Sequence, residues 1–400
     1  MNDRLAATRA DFPLLDRLID GRPITYLDSA STAPKPRCVI DAVSGVYAGL
    51  TANVHRGVHI LADEATEAYE AARQEVAAFI GASASEIVFT RNATEGINLV
   101  ASGLGLAPDD EVVLTPVEHH SNYLPWRLRA RVVTVGLSDD GMPRYEEIRS
   151  ALGARTRVAA LAQVPNTTGV LAPVREWADA AHERGALLLV DAAQSASHVP
   201  IDVRALGCDF LVFSGHKLLG PSGIGVLWAR PELLAKLSLY QAGGGMVRYH
   251  GEDRFEVFDG PQRFEAGTPA IEAAIGLGAA VGYLRRLGME EVQRHSRDLG
   301  RHLQEGLSAM KAVTLVAGSA PAVQRMGLAT FTVDAPGLDA VTVARLLCDR
   351  YQVLVSGGYH CAHILHHRLQ SSGTVRASTH VFNTHAEIDR FLGAVAALVC

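Results

Sequence analysis

The sequence predicts an α/β protein whose mainly parallel sheet is covered by helices. Two observations carry this expectation. From about residue 85 onward, short β-branched runs alternate with amphipathic stretches, and the 37 glycines suit the many tight turns that such alternation needs. In order, "EIVFT" precedes "NATEGINLVASGL", "RVAALAQV" precedes "PVREWADAAHERG", and "ALLLVD" precedes a Gly/Pro-punctuated stretch that leads to "DFLVFSG". After "FEAGTPAIEAAIGLGAAVGYLRRLG" the texture changes to long helical segments around strands such as "GLATFTVD", ending in the helix "THAEIDRFLGAVAALV". The expected organisation is an N-terminal segment (1–20) packing on a small C-terminal α/β domain (281–400), with a large domain (21–280) joined to the small one by a long helix.

Bulk properties narrow the function classes. Apolar residues make up 48% and charged residues 20% of 400 positions, the balance of a globular chain with a large core. A net charge of −6 without a basic run offers no footprint for nucleic acid or an anionic membrane, so small molecules or proteins are the expected partners. The first residues lack a signal-peptide pattern and no stretch is long enough to span a bilayer, which gives the expectation of a cytoplasmic protein. The five cysteines are odd in number, scattered and free of C-x-x-C pairs, unlike a disulfide framework or a thiolate zinc site. Cys38, Cys208 and Cys348 lie beside apolar runs and read as buried packing residues, and Cys400 as a frayed terminus.

Ligands of open parallel sheets bind beyond the carboxyl ends of the strands, so polar residues that end apolar runs are the first candidates. "ALLLVDAAQS" ends at Asp191, with Gln194 three residues on; the plain alternative for Asp191 is a helix N-cap. "DFLVFSGHKLLGPSGIGVLW" ends a strand in Ser-Gly-His-Lys and turns back through a Gly-rich hairpin. A desolvated Lys217 is a competent amine nucleophile, and the alternative is a lysine that stretches its head to water. "FTRNATEGINL" sets a helix start and the Thr94 hydroxyl where a phosphate could sit; plain capping by Asn92 or Thr94 is the alternative. A phosphate holder, a carboxylate and an amine together match pyridoxal phosphate (PLP), whose ring nitrogen wants the carboxylate and whose aldehyde wants the amine.

The stretches "YLDSASTAPKP", "NVHRGVH", "RNATEGINLV", "VEHHSNYLPW", "VDAAQS", "FSGHKLLGPSGIGVLW", "RFEAGTP" and "VRASTHVFNTHAEIDR" resemble those of class V, fold-type I PLP-dependent enzymes, and more narrowly group II cysteine desulfurases and selenocysteine lyases. The resemblance runs in order over nearly the whole chain. It implies a large domain with a mainly parallel seven-stranded sheet, PLP as cofactor, and a homodimer. It further implies Lys217 as the Schiff-base lysine, Asp191 on the ring nitrogen, Gln194 on the phenolic oxygen and His119 stacked on the ring. Thr94, Ser214 and His216 would hold the phosphate, and Thr268 would reach the phosphate in the partner subunit. Asn166 would sit near cofactor and substrate, Arg376 would bind the substrate carboxylate, and Cys361 would take the sulfur as a persulfide for a sulfur-acceptor protein.

The stretch "SGGYHCAHILHH" (356–367) admits three readings. A metal site would draw on His360, Cys361, His363 and His367; a plain mobile loop would leave the thiol incidental. The leading reading is a nucleophilic Cys361, with Gly357 and Gly358 giving the loop freedom and a protonated His360 favouring the thiolate. Ser356 stands where the resembling family carries an arginine that helps hold the substrate, Tyr359 stands where His is common, and "NTTGV" replaces a more apolar turn. These departures bear on substrate: cysteine desulfuration is the expected reaction, with selenocysteine lyase, carbon-sulfur lyase, epimerase or decarboxylase activity on the same residues as alternatives. From another class, the alternative is a catalytically weak scaffold in sulfur assembly.

Overall fold

The computed structural model describes residue 5 and residues 7–399. Its centre is a seven-stranded sheet of β1 (Ile87–Thr90), β2 (Glu111–Leu114), β3 (Arg131–Thr134), β4 (Thr156–Ala162), β5 (Leu187–Asp191), β6 (Phe210–Ser214) and β7 (Gly225–Ala229). The strands lie in the order β1-β7-β6-β5-β4-β2-β3, and β7 alone runs antiparallel to its neighbours. The hairpin read from the Gly-rich turn is therefore the β6–β7 pair.

Successive side chains of a strand face opposite ways, and here both faces are dry. Ala159, Leu161, Leu188 and Val190 enter one apolar core with the helices Ile60–Phe79 (α1), Val174–Glu183 (α3) and Ile271–Leu287 (α4). Val158, Ala160, Leu189 and Val212 enter a second with Ala93–Gly103 (α2). Two covered faces explain why these strands read as unbroken apolar runs. β2, β3 and Val313–Leu315 (β8), four, four and three residues long, were not read from the sequence.

The expected single long connecting helix is two helices. Gly288 (φ 87°) ends α4 and Met289–Ser308 (α5) starts directly after it, with Glu290 and Glu291 in its first turn where the helix dipole favours them. Beyond lies a four-stranded antiparallel sheet in the order β8, β9 (Leu328–Val333), β11 (Thr374–Ser378), β10 (Ser356–Gly358). It packs through Phe331 against Leu303 of α5, Leu347 of Ala340–Tyr351 (α6) and Phe391 of His385–Val399 (α7). The N-terminal segment touches this region: Arg9 pairs with Glu387 at 2.7 Å, and Phe12 lies 4.8 Å from Phe382 ring to ring. Among the described residues no helix is long and apolar enough to cross a membrane. Cys208 is buried as expected, but Cys38 and Cys348 are only half-buried, and Cys400 lies outside the described residues.

Candidate active site

The carboxyl ends of β4, β5 and β6, the start of α2 and the 356–361 segment enclose a cavity of about 410 Å³. Thr94, His119, Asn166, Asp191, Gln194, Ser214, His216, Lys217, Ser356, Cys361 and Arg376 all line it. Thr268 does not; it is exposed on another part of the surface.

Asp191 ends β5 and is 6% exposed. A series of turns follows it rather than a helix, so it caps nothing; its Oδ1 accepts the Ala193 N–H at 2.9 Å. Burial raises its pKa, opposed by that bond and by the Lys217 charge. Lys217 closes the short turn Gly215–Lys217 after β6, and burial lowers its pKa while Asp191 pulls it back up. Gln194 donates from Nε2 to the Ala30 carbonyl at 2.8 Å.

At the start of α2 capping and ligand-facing groups coexist. The Asn92 Oδ1 accepts the Glu95 N–H at 3.0 Å, the Ser214 Oγ accepts the Ala93 N–H at 2.9 Å, and the Thr94 hydroxyl bonds Ser121 Oγ at 2.7 Å. Gly225 makes this junction possible, because a Cβ there would lie 2.5 Å from the Asn92 Cα. His216 beside it is held down to about 4 by burial and by the Lys217 and Lys35 charges, so it is neutral near pH 7. His119 accepts the Ser121 N–H on Nδ1 at 3.1 Å, and burial, with the Lys217 charge, pushes it down to about 3. It too is a neutral imidazole.

Arg376, on β11 and 3% exposed, is the only guanidinium among the described residues lining the cavity. Its Nη2 donates to Ser31 Oγ at 2.7 Å and Asp28 Oδ1 at 3.4 Å, its Nη1 to the Asn166 carbonyl at 3.3 Å, and its Nε has no partner among the described residues. Ser356 on β10 is its register partner. Asp28 and Ser31 carried no role in the sequence reading, although both stand in "YLDSAS".

Two readings of the cysteine segment need correction. Gly357 and Gly358 are not a hinge: both belong to β10, and a Cβ on Gly357 would come 2.4 Å from the Ala340 carbonyl oxygen, so glycine serves close packing. His360 is not a protonated neighbour. Its Nε2 bonds the Thr374 carbonyl at 2.9 Å, and burial with the Arg376 charge pushes it down to about 3. The cations that a Cys361 thiolate faces are Lys217 and Arg376.

The thiol itself is exposed. Its backbone is strained, with φ of 48° at His360 and 57° at Cys361, and is pinned by the Asn166 Nδ2 donating to the His360 carbonyl and the His120 N–H donating to that of Cys361, both at 2.8 Å. His363 turns to His120, ring nitrogens 3.1 Å apart, with Tyr359 stacked on it at 4.5 Å. Among the described residues no three His, Cys, Asp or Glu side chains are arranged to hold a metal ion.

Comparison with known proteins agrees with this geometry. A probable cysteine desulfurase of Pseudomonas aeruginosa is 44% identical over 395 residues, 97% of this chain and 96% of that protein. The apo structure of cysteine desulfurase from Thermococcus onnurineus superposes with a TM-score of 0.92 at 38% identity, covering 98% of this chain and 97% of that one. The Escherichia coli cysteine desulfurase in its S-sulfonic acid form gives 0.87 at 35% identity, covering 99% of both chains. The aminotransferase class-V family model matches residues 25–391, and the chain belongs to that family.

Proposed function

We propose that this chain is a PLP-dependent cysteine desulfurase that converts L-cysteine to L-alanine and leaves the sulfur on Cys361 as a persulfide, for collection by an acceptor protein. The observation that carries the reading is that an exposed thiol, a half-buried lysine and a buried carboxylate open onto one cavity with a single guanidinium. The residues present fit the cofactor. Asp191 is a buried carboxylate that no cation among the described residues meets in a direct ion pair, which suits a protonated ring nitrogen. Thr94, Ser214 and His216 gather at a helix start, where a phosphate is favoured, and Gln194 faces the cavity for the phenolic oxygen.

When bound, PLP supplies an aldehyde for the amines and a protonated ring that withdraws electrons from the substrate α-carbon. Asp191 holds the proton on the ring nitrogen. Lys217, its ammonium form disfavoured by burial, takes the α-proton on Nζ. The neutral His119 covers the ring face and keeps water off it. Arg376 holds the substrate carboxylate, oriented by Ser31 and Asp28 and with Nε still to satisfy; Asn166 steadies this end, and Ser356 lies opposite without a second charge. Cys361 Sγ then attacks the substrate sulfur: an S–S bond forms, the C–S bond breaks, and its electron pair stays with carbon.

The same reading extends to assembly. The domain division at about residue 280 puts the cysteine segment on the smaller unit, facing a cavity built mainly by the larger. A homodimer is supported by the exposed Thr268 lying away from its own cavity and by exposed Val58 and Ile60. To test the reaction, the PLP-loaded protein is incubated with L-cysteine and a reductant, and alanine, pyruvate and sulfide are quantified together. Alanine equal to sulfide is the expected result; pyruvate in place of alanine would overturn desulfuration in favour of a carbon-sulfur lyase.

A further inference from the structure

Glu118 is a carboxylate buried to 3% exposure inside the turn that carries His119. No Lys, Arg or His among the described residues pairs with it. Burying a carboxylate without a counter-charge is costly, and an apolar side chain would fill the space more cheaply. What it has instead is donors from three directions. Thr115, before the turn, donates its hydroxyl to Oε1 at 2.5 Å, and Asn122, after the turn, donates from Nδ2 to Oε2 at 2.7 Å. The Ala162 N–H reaches the two carboxylate oxygens at 3.2 and 3.0 Å. The Asn122 amide orientation is fixed independently, because its Oδ1 accepts the indole N–H of the buried Trp126 at 3.2 Å, leaving Nδ2 to face Glu118.

Ala162 is the last residue of β4 and the register partner of Asp191. Glu118 thus ties both ends of the 115–122 turn to the strand beside the one that ends in Asp191. We propose that Glu118 is a positioning residue that fixes the His119 imidazole over the cofactor ring relative to Asp191. Nothing in the mechanism uses it as a reacting group, and its own proton is not required. Burial pushes it up to about 7, and its three donors act in the opposite direction. Those donors demand acceptor oxygens and not a charge as such. A glutamine can keep the acceptor toward Asn122 and Ala162 and donate its amide to the Thr115 oxygen, whereas a methionine of the same length leaves all three donors unpaired.

The inference rests on the PLP reading above, so visible circular dichroism of the PLP-loaded wild type comes first; absence of a cofactor signal there would overturn both. Given that signal, Glu118→Met and the milder Thr115→Val are compared with Glu118→Gln by cofactor circular dichroism, kcat and KM. The expected result is a reduced cofactor signal and a kcat lowered about tenfold or more in Glu118→Met, with KM little changed because Arg376 is untouched. Thr115→Val should show a smaller change in the same sense, and Glu118→Gln should stay near wild type. If Glu118→Met does not fold, Thr115→Val decides. Wild-type dichroism and kcat in every folded variant would overturn the proposal, as would a Glu118→Gln loss equal to that of Glu118→Met, which would make the charge and not the anchor the active property.

Discussion

The two walls of the cavity are held by different means. On the cofactor side, Asp191 and Ser214 are the last residues of adjacent strands, with Lys217 three residues further on, and their spacing is set by the β5–β6 ladder, in which Asp191 pairs with Val212. On the thiol side, Cys361 rides on a short loop with two successive left-handed residues, held by single hydrogen bonds to Asn166, to His120 and, through the His360 ring, to the Thr374 carbonyl. A ladder shares strain over many bonds, whereas a short loop held by a few separate bonds opens locally at less cost. One wall is thus built from sheet, and the wall that carries the thiol from a strained turn held by isolated bonds.

The largest test of that contrast is Cys361→Ser. A hydroxyl leaves the ladder side unchanged, so the PLP-loaded variant should keep its yellow colour while alanine formation falls by at least about a thousandfold; undiminished alanine would remove Cys361 from the reaction. Gly357→Ala comes next. Its Cβ would meet the Ala340 carbonyl at 2.4 Å and push β10 and the thiol loop outward, at a cost of about 1–3 kcal/mol. The expected outcome is turnover reduced about tenfold with cofactor absorbance retained. Loss of the cofactor band as well would show that the two walls are not independently held.

The smallest effect is on pH. His119, His216 and His360 are held to about 3, 4 and 3, below the ordinary value near 6.5 that the unfolded chain restores. Between these values the unfolded state binds more protons, so the contribution to stability is present above about pH 6.5 and drains away as pH falls toward 4. The Tm should drop by at least several degrees between pH 7 and 5, a fall of roughly this sign and size for buried neutral imidazoles. A flat Tm over that range would contradict the neutral state assigned to both walls. With His360→Gln, a slope nearly unchanged would place most of the effect on the other buried imidazoles, His198 and His380 included.

The sequence was most legible where strands are buried on both faces, because β4, β5 and β6 cannot hide as anything but continuous apolar runs, and the residues that end them announce themselves. It was least legible where meaning comes from a distant neighbour. Gly357 reads as freedom until the Ala340 carbonyl is seen against it, and His360 reads as a proton carrier until Thr374 and Arg376 surround it. Glu118 sits beside a recognised histidine, yet Ala162 is 44 positions away in the chain, and no local pattern links them. β3 is half-exposed, and its weak apolar character concealed an edge strand.

The missing side chain at Gly225 has a reach beyond its own volume. Strand β7, the last residue of β6 and the capping residue of α2 all meet within that one gap: even a methyl group would collide with Asn92 and lift the helix start from the Ser214 hydroxyl.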